Sequence, residues 1–533
     1  MDNNNAMTRR QLLRMIGVTA GSAMMYQAMS SLGFAAESNF NKPVRLQGAP
    51  KNASVLVLGA GIAGMVAAYE LRAAGYKVQV LEYNGRAGGR NWSIHGGDTY
   101  TELGGFTQRC QFDPGLYINP GPWRLPYHHQ GILHYCTLLG VPLEPFVQVN
   151  HNAYLHSSQA FGGKPQRFRH VHADYNGHVA ELLAKATQTH KLDEQITKED
   201  QEKLLVSLRM TGALDKNYAY VSGRDSSERR GYDIDPGGSL DPLAVPSKPI
   251  GLGALLDSGL WGMLSAGDDY DMQTTLFQPV GGMGQIGKAF ARELGAMIRY
   301  HAKVTDIHQD ESGVTVTYED STRPGSKLSA HADWCVNTIP LSVLSQIPMN
   351  VSTSMADAIA AVPYAAAIKV GLQFKRRFWE QDEQIYGGIS YTDLPITNIG
   401  YPSTGFFGSG KGVLLGAYIW GMNATEFTAM SPTERVKAAV DYGSQLHPQY
   451  TKEFDNGVAM AWHRSPFTLG CFGLWREDVR EKHYRNLCQI DGRIVLAGEH
   501  ASYIPAWQEG AVTSSLNAIG RLHQKAIANG ANA

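Results

Sequence analysis

Cysteine is scarce in this chain and neither sign of charge predominates. The 533 residues include five cysteines without any C-x-x-C pair, which argues against a cysteine metal site and a disulfide framework. Lysine and arginine (47) nearly balance aspartate and glutamate (48), so the net charge of −1 gives no electrostatic reason to expect nucleic-acid binding. Beyond the N-terminal region, the chain has no apolar run long enough for a membrane helix and no internal repeat. We expect no metal, no nucleic acid and no permanent membrane span.

The N-terminal residues have the features of an export signal. Arg9 and Arg10, followed by Leu12 and Leu13, resemble a twin-arginine signal, and a mildly apolar stretch then ends in small residues at Ala36. Polar residues within that stretch argue against a permanent anchor. We therefore expect residues 1–36 to be removed and the folded protein to be periplasmic or secreted; the alternative is a disordered N-terminal extension.

A glycine-rich turn between an apolar strand and a helix predicts a nucleotide site. Residues 55–58 are all apolar, and Gly59, Gly61 and Gly64 follow in the spacing G-x-G-x-x-G. Small residues at this turn let the backbone approach a pyrophosphate at the helix N-terminus. A helix from 65 to 74 and a second apolar strand then lead to Glu82, whose carboxylate can accept hydrogen bonds from ribose hydroxyls.

A second glycine cluster, Gly85–Arg90, follows the acid closely. This arrangement resembles the flavin amine oxidase family, which includes monoamine, polyamine and L-amino acid oxidases, and it favours FAD over NAD. The chain departs from the family at Asn84, where many members carry a second arginine. In this interpretation Arg90 lies near the pyrophosphate as a fixed counter-charge.

The resemblance resumes at the C-terminus, where the apolar strand 493–497 closes on Gly498 and Glu499, and a helix follows to about Lys525. The family places this helix N-terminus at the flavin, where its dipole stabilises negative charge. FAD is expected to bind non-covalently, although a family precedent for a cysteine linkage leaves Cys471 as an alternative. The implied FAD contacts are Gly59, Gly61, Ala63, Gly64, Glu82, Tyr83, Gly89, Arg90, Val304, Gly498, Glu499, Trp507 and Ala511.

The resemblance also implies an α/β fold whose domains are assembled from distant segments. A discontinuous Rossmann-type FAD-binding domain of the amine oxidase (GR2) type would comprise 50–109, 271–344 and 484–525. A mixed-sheet substrate domain would comprise 110–169 and 345–483, and a helical insert 170–270. The glycine turn 281–287 before a helix, the hairpin 298–318 and the buried strand 332–340 agree with this division.

The segment Gly121–Pro126 resembles the part of L-amino acid oxidases whose arginine binds the substrate carboxylate. Arg124 could present two parallel donors to such a group. Relative to the family segment, about fifteen residues, 106–120, are inserted before Arg124, which makes Arg109 the alternative ligand. A surface arginine between prolines is the third interpretation.

Lys369 stands alone in the apolar segment 362–374, which predicts a strand. Such a lysine is often solvated on the outer face of a sheet. The family instead places a lysine near flavin N5, where burial would lower its pKa and suit it to the oxygen-dependent half-reaction.

Two aromatic residues match the walls of the family's substrate cage: Phe472 and Trp507, the latter following Ala506. They would exclude water from the flavin face, although both could also be core residues. Tyr401 resembles a substrate-contacting tyrosine of amino acid oxidases.

Together these resemblances imply an FAD-dependent L-amino acid oxidase. It would convert an L-amino acid, water and dioxygen to a 2-oxo acid, ammonia and hydrogen peroxide, with the cofactor carrying the chemistry. A primary-amine oxidase and a decarboxylating amino acid monooxygenase are alternatives within the fold, and a non-catalytic FAD-binding subunit is one outside it. No motif selects a general base, and a homodimer is the expected assembly.

Overall fold

A computed structural model describes residues 38–41, 44–192, 194–240, 243–323 and 325–530. The export signal predicted for residues 1–36 lies outside the described residues. The largest elements of the described chain are two sheets, one of six strands and one of seven.

The six-stranded sheet is assembled from segments far apart in the sequence. Its first five strands run parallel and the last closes an antiparallel hairpin. The N-terminal strand lies at its centre, as expected for a doubly wound sheet. In spatial order the strands are Ile298–Arg299, Lys77–Leu81, Ser54–Leu58, Trp334–Asn337, Ile494–Leu496 and Ile490–Asp491.

Both faces of this sheet are covered, which explains the unbroken apolar run of its central strand. Val55 and Val57 face a core shared with the helices Ile62–Ala73 and Gln508–Gly530. Leu56 belongs to the core on the other face. That second core includes residues of a three-stranded antiparallel sheet, whose strands are Ala302–Gln309, Val314–Asp320 and Lys327–Ala332.

The seven-stranded sheet is mixed. Strands Tyr154–His156 and Ile389–Thr392 pair in parallel, and the other neighbours pair antiparallel. Every residue of Ala367–Phe374 is buried, so this strand runs through the interior of the molecule. In spatial order the strands are Gln166–Arg167, Tyr154–His156, Ile389–Thr392, Asn398–Gly400, Gly412–Trp420, Ala367–Phe374 and Phe454–Ala461.

The region predicted as a helical insert is rich in helices. They are Phe168–Gln188, Lys198–Thr211, Arg224–Arg230 and Leu252–Ser258, with the short strand pair Tyr232–Ile234 and Val245–Pro246. The domain boundaries remain a proposal from the sequence, because the helices and strands of the structure do not by themselves define where one domain ends and the next begins.

The remaining elements connect these layers. A three-stranded sheet has the order Leu125–Pro126, Leu276–Pro279, Leu143–Phe146; two strand pairs are Ile94–His95 with Tyr117–Ile118, and Thr99–Thr101 with Thr107–Arg109. The other α-helices are Gln130–Leu138, Gly284–Leu294, Leu341–Leu344, Thr353–Ala361, Phe378–Gln381, Gly421–Thr428, Pro432–Gly443, Tyr450–Glu453 and Glu477–Cys488. Short 3₁₀ turns are Phe161–Gly163, Leu260–Met263, Tyr270–Met272, Gly295–Met297, Trp462–Arg464 and Glu499–Ala501.

Two sequence expectations differ from these bounds in detail. The first helix spans Ile62–Ala73, and the C-terminal helix extends beyond Lys525 to Gly530. Across the described ranges, we find no helix that is both long and apolar enough to span a bilayer. The five cysteines are free thiols.

Candidate active site

A cavity of about 1660 Å³ lies where the two sheets approach each other. Its lining includes Gly61 from the glycine turn and Glu82 from the six-stranded sheet, together with Tyr418 and Trp420 from the seven-stranded sheet. Pockets for one small ligand are typically about 300–1,000 Å³. This cavity therefore has room for a large cofactor together with a small substrate.

Glycine is required at the three positions of the first turn for different structural reasons. Gly59 has a φ of +98°, which favours glycine. A Cβ on Gly64 would lie 2.0 Å from the Gly59 carbonyl oxygen, so this glycine permits close packing of helix and turn. Gly61 has an ordinary φ of −75°, and a Cβ there would meet no atom within 4 Å. That Cβ would instead enter the cavity, where a pyrophosphate is expected.

The Glu82 side chain is held at the end of the strand Lys77–Leu81. One carboxylate oxygen accepts from the Ala60 N–H at 2.7 Å, and the other accepts from the backbone and side-chain amides of Asn84, both at 2.8 Å. Asn84 thus supports the acid with its backbone and its side chain. Glu82, Tyr83 and Asn84 all line the cavity, as a ribose site requires.

Arg90 and Glu499 join the two ends of the chain across the cavity. The Arg90 Nη1 donates to the Glu499 Oε1 and to the Cys471 carbonyl oxygen, each at 2.7 Å. Burial raises the pKa of the Glu499 carboxyl, but the Arg90 guanidinium, together with His500 and a backbone hydrogen bond, offsets this and holds the pKa below its usual value. Arg90 and Glu499 therefore form an ion pair at the cavity wall.

The C-terminal helix begins at the cavity. Trp507, Gln508 and Ala511 line the cavity. Ala506, two residues before the helix, has a φ of +69°. The Glu509 carboxylate points elsewhere: it accepts from the Gly131 and Ile132 amides and caps the helix Gln130–Leu138.

Most of the predicted cofactor residues meet in this one cavity, so the residues present fit FAD. Gly64 is absent from the lining because it packs beneath Gly59. The predicted contacts that line the cavity are Gly59, Gly61, Ala63, Glu82, Tyr83, Gly89, Arg90, Val304, Gly498, Glu499, Trp507 and Ala511.

Arg124 lies in the same cavity and is 5% exposed. The adjoining strand Leu125–Pro126 pairs with Leu276–Pro279, which fixes the course of the chain just after the arginine. The guanidinium carbon lies 5.5 Å from the centre of the Trp123 ring. Arg109, the alternative, is exposed on a hairpin and is not among the cavity-lining residues.

The aromatic wall is larger than the sequence indicated. Phe472 and Trp507 line the cavity as predicted, but Trp420 also lies 5.6 Å from Phe472 between ring centres. Tyr418 stands 4.6 Å from Trp420. Tyr418 and Trp420 are two positions apart in one strand and share a face, which is a signal that strand periodicity could have supplied.

Lys369 is 2% exposed, so its placement on a solvated outer face is wrong. Its Nζ donates to the Gly121 carbonyl oxygen at 2.6 Å and lies 4.1 Å from the Tyr418 ring centre. Burial lowers the pKa of the Lys369 ammonium to about 7. Lys369 lies behind the cavity wall formed by Gly121 and Tyr418 rather than in the lining.

The structure does not bring Tyr401 to this cavity. Tyr401 is 1% exposed, and its hydroxyl lies 2.7 Å from both the Ser390 hydroxyl and the His447 Nε2. Its expected contact with substrate is therefore corrected, because the hydroxyl belongs to a buried network in the seven-stranded-sheet region.

Several known proteins are similar to this chain over most of its length. An L-amino-acid oxidase of Siganus canaliculatus is 27% identical over 89% of this chain and 86% of its own length. One of Bothrops pauloensis is 28% identical over 87% and 88%. The fold resembles cyclohexylamine oxidase from Brevibacterium oxydans IH-35A (TM-score 0.57, 18% identity, 89% and 99% covered) and putrescine oxidase bound to putrescine (0.57, 17%, 88% and 99%).

The family match spans most of the chain. Residues 62–522 match the family described as flavin containing amine oxidoreductase, a range that begins within the glycine turn, just after Gly61, and ends in the C-terminal helix. It thus contains Glu82, Glu499, Arg124 and the aromatic wall. With the cavity geometry and this match, the chain belongs to the flavin-containing amine oxidoreductases.

Proposed function

We propose that this protein is an FAD-dependent L-amino acid oxidase. The net reaction converts an L-amino acid, water and dioxygen to a 2-oxo acid, ammonia and hydrogen peroxide. Relatives named L-amino-acid oxidase align with 87–89% of the chain, which supports this choice within the family.

The buried Arg124 is the observation that carries the proposal. It lines the same cavity as the glycine turn, so a molecule oxidised there lies close to the positive charge of its guanidinium. A guanidinium can hold a carboxylate through two parallel hydrogen bonds. A simple amine has no group for such a partner, and this favours an amino acid as the substrate.

The protein's own contribution is orientation and exclusion of water. FAD, when bound, supplies the two-electron oxidation of the substrate's Cα–N bond and the reaction with dioxygen. Arg124 would hold the carboxylate, and the rings of Trp420, Phe472 and Trp507 would enclose the remaining substrate and keep water away. No side-chain nucleophile is needed.

Lys369 would hold a proton close to this site. Its pKa of about 7 allows the Nζ to be either charged or neutral near neutral pH. The hydrogen bond to the Gly121 carbonyl keeps that proton behind the wall that carries Arg124. We propose that its charge assists the oxygen-dependent half-reaction.

Product analysis tests the proposal. Purified enzyme is incubated with a panel of L-amino acids, their D-isomers and the matching decarboxylated amines, and peroxide and organic products are measured. We expect peroxide and 2-oxo acids from L-amino acids. Aldehydes from the amines would favour a primary-amine oxidase, amides would favour a decarboxylating monooxygenase, and no turnover with bound flavin would favour a non-catalytic subunit.

We propose non-covalent FAD. The only candidate for a thiol linkage that the sequence suggested, Cys471, lines the cavity, but burial raises its thiol pKa to about 11 and keeps it protonated. Acid precipitation should therefore release the yellow colour into the supernatant, from wild type and Cys471→Ala alike. Colour retained in the wild-type pellet alone would show a cysteine linkage.

Twin-arginine export and a homodimer complete the proposal. Replacing Arg9 and Arg10 by Lys should leave the precursor in the cytoplasm, as seen by fractionation and immunoblotting. Light scattering on the mature protein should give twice the mass of one chain. A processed, exported double variant or a monomeric mass would contradict the respective assignment.

A further inference from the structure

Two neighbouring imidazoles and a carboxylate converge at one side of the cavity, and nothing in the proposed oxidation uses all three. The His128 Nε2 lies 3.3 Å from the Asp271 Oδ1, and the His129 Nε2 lies 3.4 Å from the same oxygen. The candidate ligand atoms of the three residues all lie within 4.8 Å of one another. His129 and Asp271 are 1% and 2% exposed, and both line the cavity.

These short approaches are not aligned as hydrogen bonds. Among the described residues, the His128 Nε2, the His129 Nε2 and the Asp271 Oδ1 have no hydrogen-bond partner. Polar atoms at such depth are normally satisfied, because leaving them without a partner costs about 1–3 kcal/mol each. An occupant that bonds to all three atoms would remove that cost.

The spacing matches a tetrahedral metal. Zn²⁺ binds histidine nitrogens and aspartate oxygens at about 2.0–2.2 Å, which places neighbouring ligand atoms of a tetrahedron about 3.3–3.6 Å apart. Both nitrogen–oxygen distances fall in this range. Two imidazoles and one carboxylate also leave the fourth position for water or another ligand.

The surrounding structure already positions the ligands. His128 stacks on Tyr270 at 4.0 Å between ring centres, and His129 meets Trp507 edge-on at 5.0 Å. The two ligand-bearing segments are joined by the pairing of Pro126 with Leu276.

We propose that His128, His129 and Asp271 form a binding site for a divalent transition metal such as Zn²⁺ at the wall of the active-site cavity. The site joins the segment that follows Arg124 to the segment that precedes the strand Leu276–Pro279. Metal binding should therefore stabilise the folded protein whether or not a substrate is present.

Metal binding to the FAD-loaded protein tests this directly. The protein is stripped with a chelator, equilibrated with Zn²⁺, passed through a desalting column and analysed for metal by mass spectrometry. We expect about one Zn²⁺ per chain and a higher melting temperature in Zn²⁺. Asp271→Asn and His129→Gln should each weaken Zn²⁺ binding by at least about tenfold, because even the loss of a residue that only supports a metal ligand has an effect of that size. Both variants should also abolish the increase in melting temperature.

Two further variants keep the test decisive. His308→Gln removes an exposed histidine elsewhere on the surface and should bind Zn²⁺ as wild type does. His128→Gln changes the least buried ligand and serves if the buried variants fail to fold, which FAD absorbance reports. The proposal would be overturned if Zn²⁺ did not bind the wild type. It would also be overturned if Zn²⁺ bound equally to the wild type and to folded ligand variants.

Discussion

The ammonium of Lys369 donates a 2.6 Å hydrogen bond to the backbone carbonyl of Gly121, three residues before Arg124. A lysine in the centre of a buried strand thereby supports the segment that carries the proposed carboxylate ligand. The same ammonium lies over the Tyr418 ring at 4.1 Å, at a wall of the cavity. Its charge and the position of Arg124 are consequently linked.

Lys369→Met should separate the two halves of the reaction. It keeps the side-chain length and removes the charge. We expect substrate to reduce the flavin under anaerobic conditions at close to the wild-type rate, while reoxidation by oxygen slows by about tenfold or more, a barrier rise of about 1.4 kcal/mol. Stopped-flow absorbance measures both steps, with Lys437→Met on an exposed helix as the control. Unchanged reoxidation would leave Lys369 with only a structural role.

The same variant should change the pH dependence of stability. The folded-state pKa of Lys369 is about 7 against an ordinary value of 10.5, so below pH 7 the folded protein must bury an ammonium. Between pH 7 and 10.5 the unfolded chain binds more protons, and wild-type stability gains with rising pH from this residue. The melting temperature of Lys369→Met relative to wild type should thus be highest near pH 6 and decline toward pH 9.5. A difference independent of pH would contradict the lowered pKa.

Arg124→Ala should cripple oxidation of L-amino acids while the protein stays folded and yellow. Loss of one partner of a buried charge pair costs about 2–5 kcal/mol, which is about thirty- to several-thousand-fold in kcat/KM. Arg124→Lys should recover only part, because a point charge cannot form the bidentate contact. Arg109→Ala, at an exposed hairpin, is the matched control. Normal amino acid oxidation by Arg124→Ala would instead point to a carboxylate-free amine as substrate.

Gly61→Val should fold without flavin. The φ of −75° accommodates any residue, and the new side chain would project into the cavity instead of clashing with protein atoms. The absorbance ratio of flavin to protein should fall to near zero, with circular dichroism close to wild type. Gly410→Val, also with open space around its Cβ but in an exposed loop, should remain yellow. Full flavin occupancy in Gly61→Val would refute the pyrophosphate position.

Tyr401→Phe should affect stability and not substrate binding. It removes the hydroxyl shared with Ser390 and His447, and leaving buried partners unsatisfied costs about 1–3 kcal/mol in the free energy of unfolding. Denaturant titration measures that loss. KM for L-amino acids should stay within about twofold of wild type, whereas Phe472→Ala in the cavity wall should raise KM. A large KM increase in Tyr401→Phe would return the tyrosine to the substrate site.

Local sequence determined the cofactor end of the site. Gly59, Gly61 and Glu82 lie within 24 residues, and their roles follow from backbone geometry in a single strand–turn–helix–strand unit. The placement of Gly498 and Glu499 could also be predicted from local sequence, because they directly follow a short buried strand. Such features are readable because the residues that interact with the ligand also shape the local backbone.

Tertiary structure alone decided which distant side chains share the cavity. The packing of separate sheets places Arg124 at the cavity and Arg109 outside its lining. It also buries Lys369 and leaves Tyr401 out of the lining. The convergence of His128, His129 and Asp271 depends on strand pairing between segments about 150 residues apart. Sequence spacing specifies which face of an element a residue occupies, but only packing specifies what that face meets.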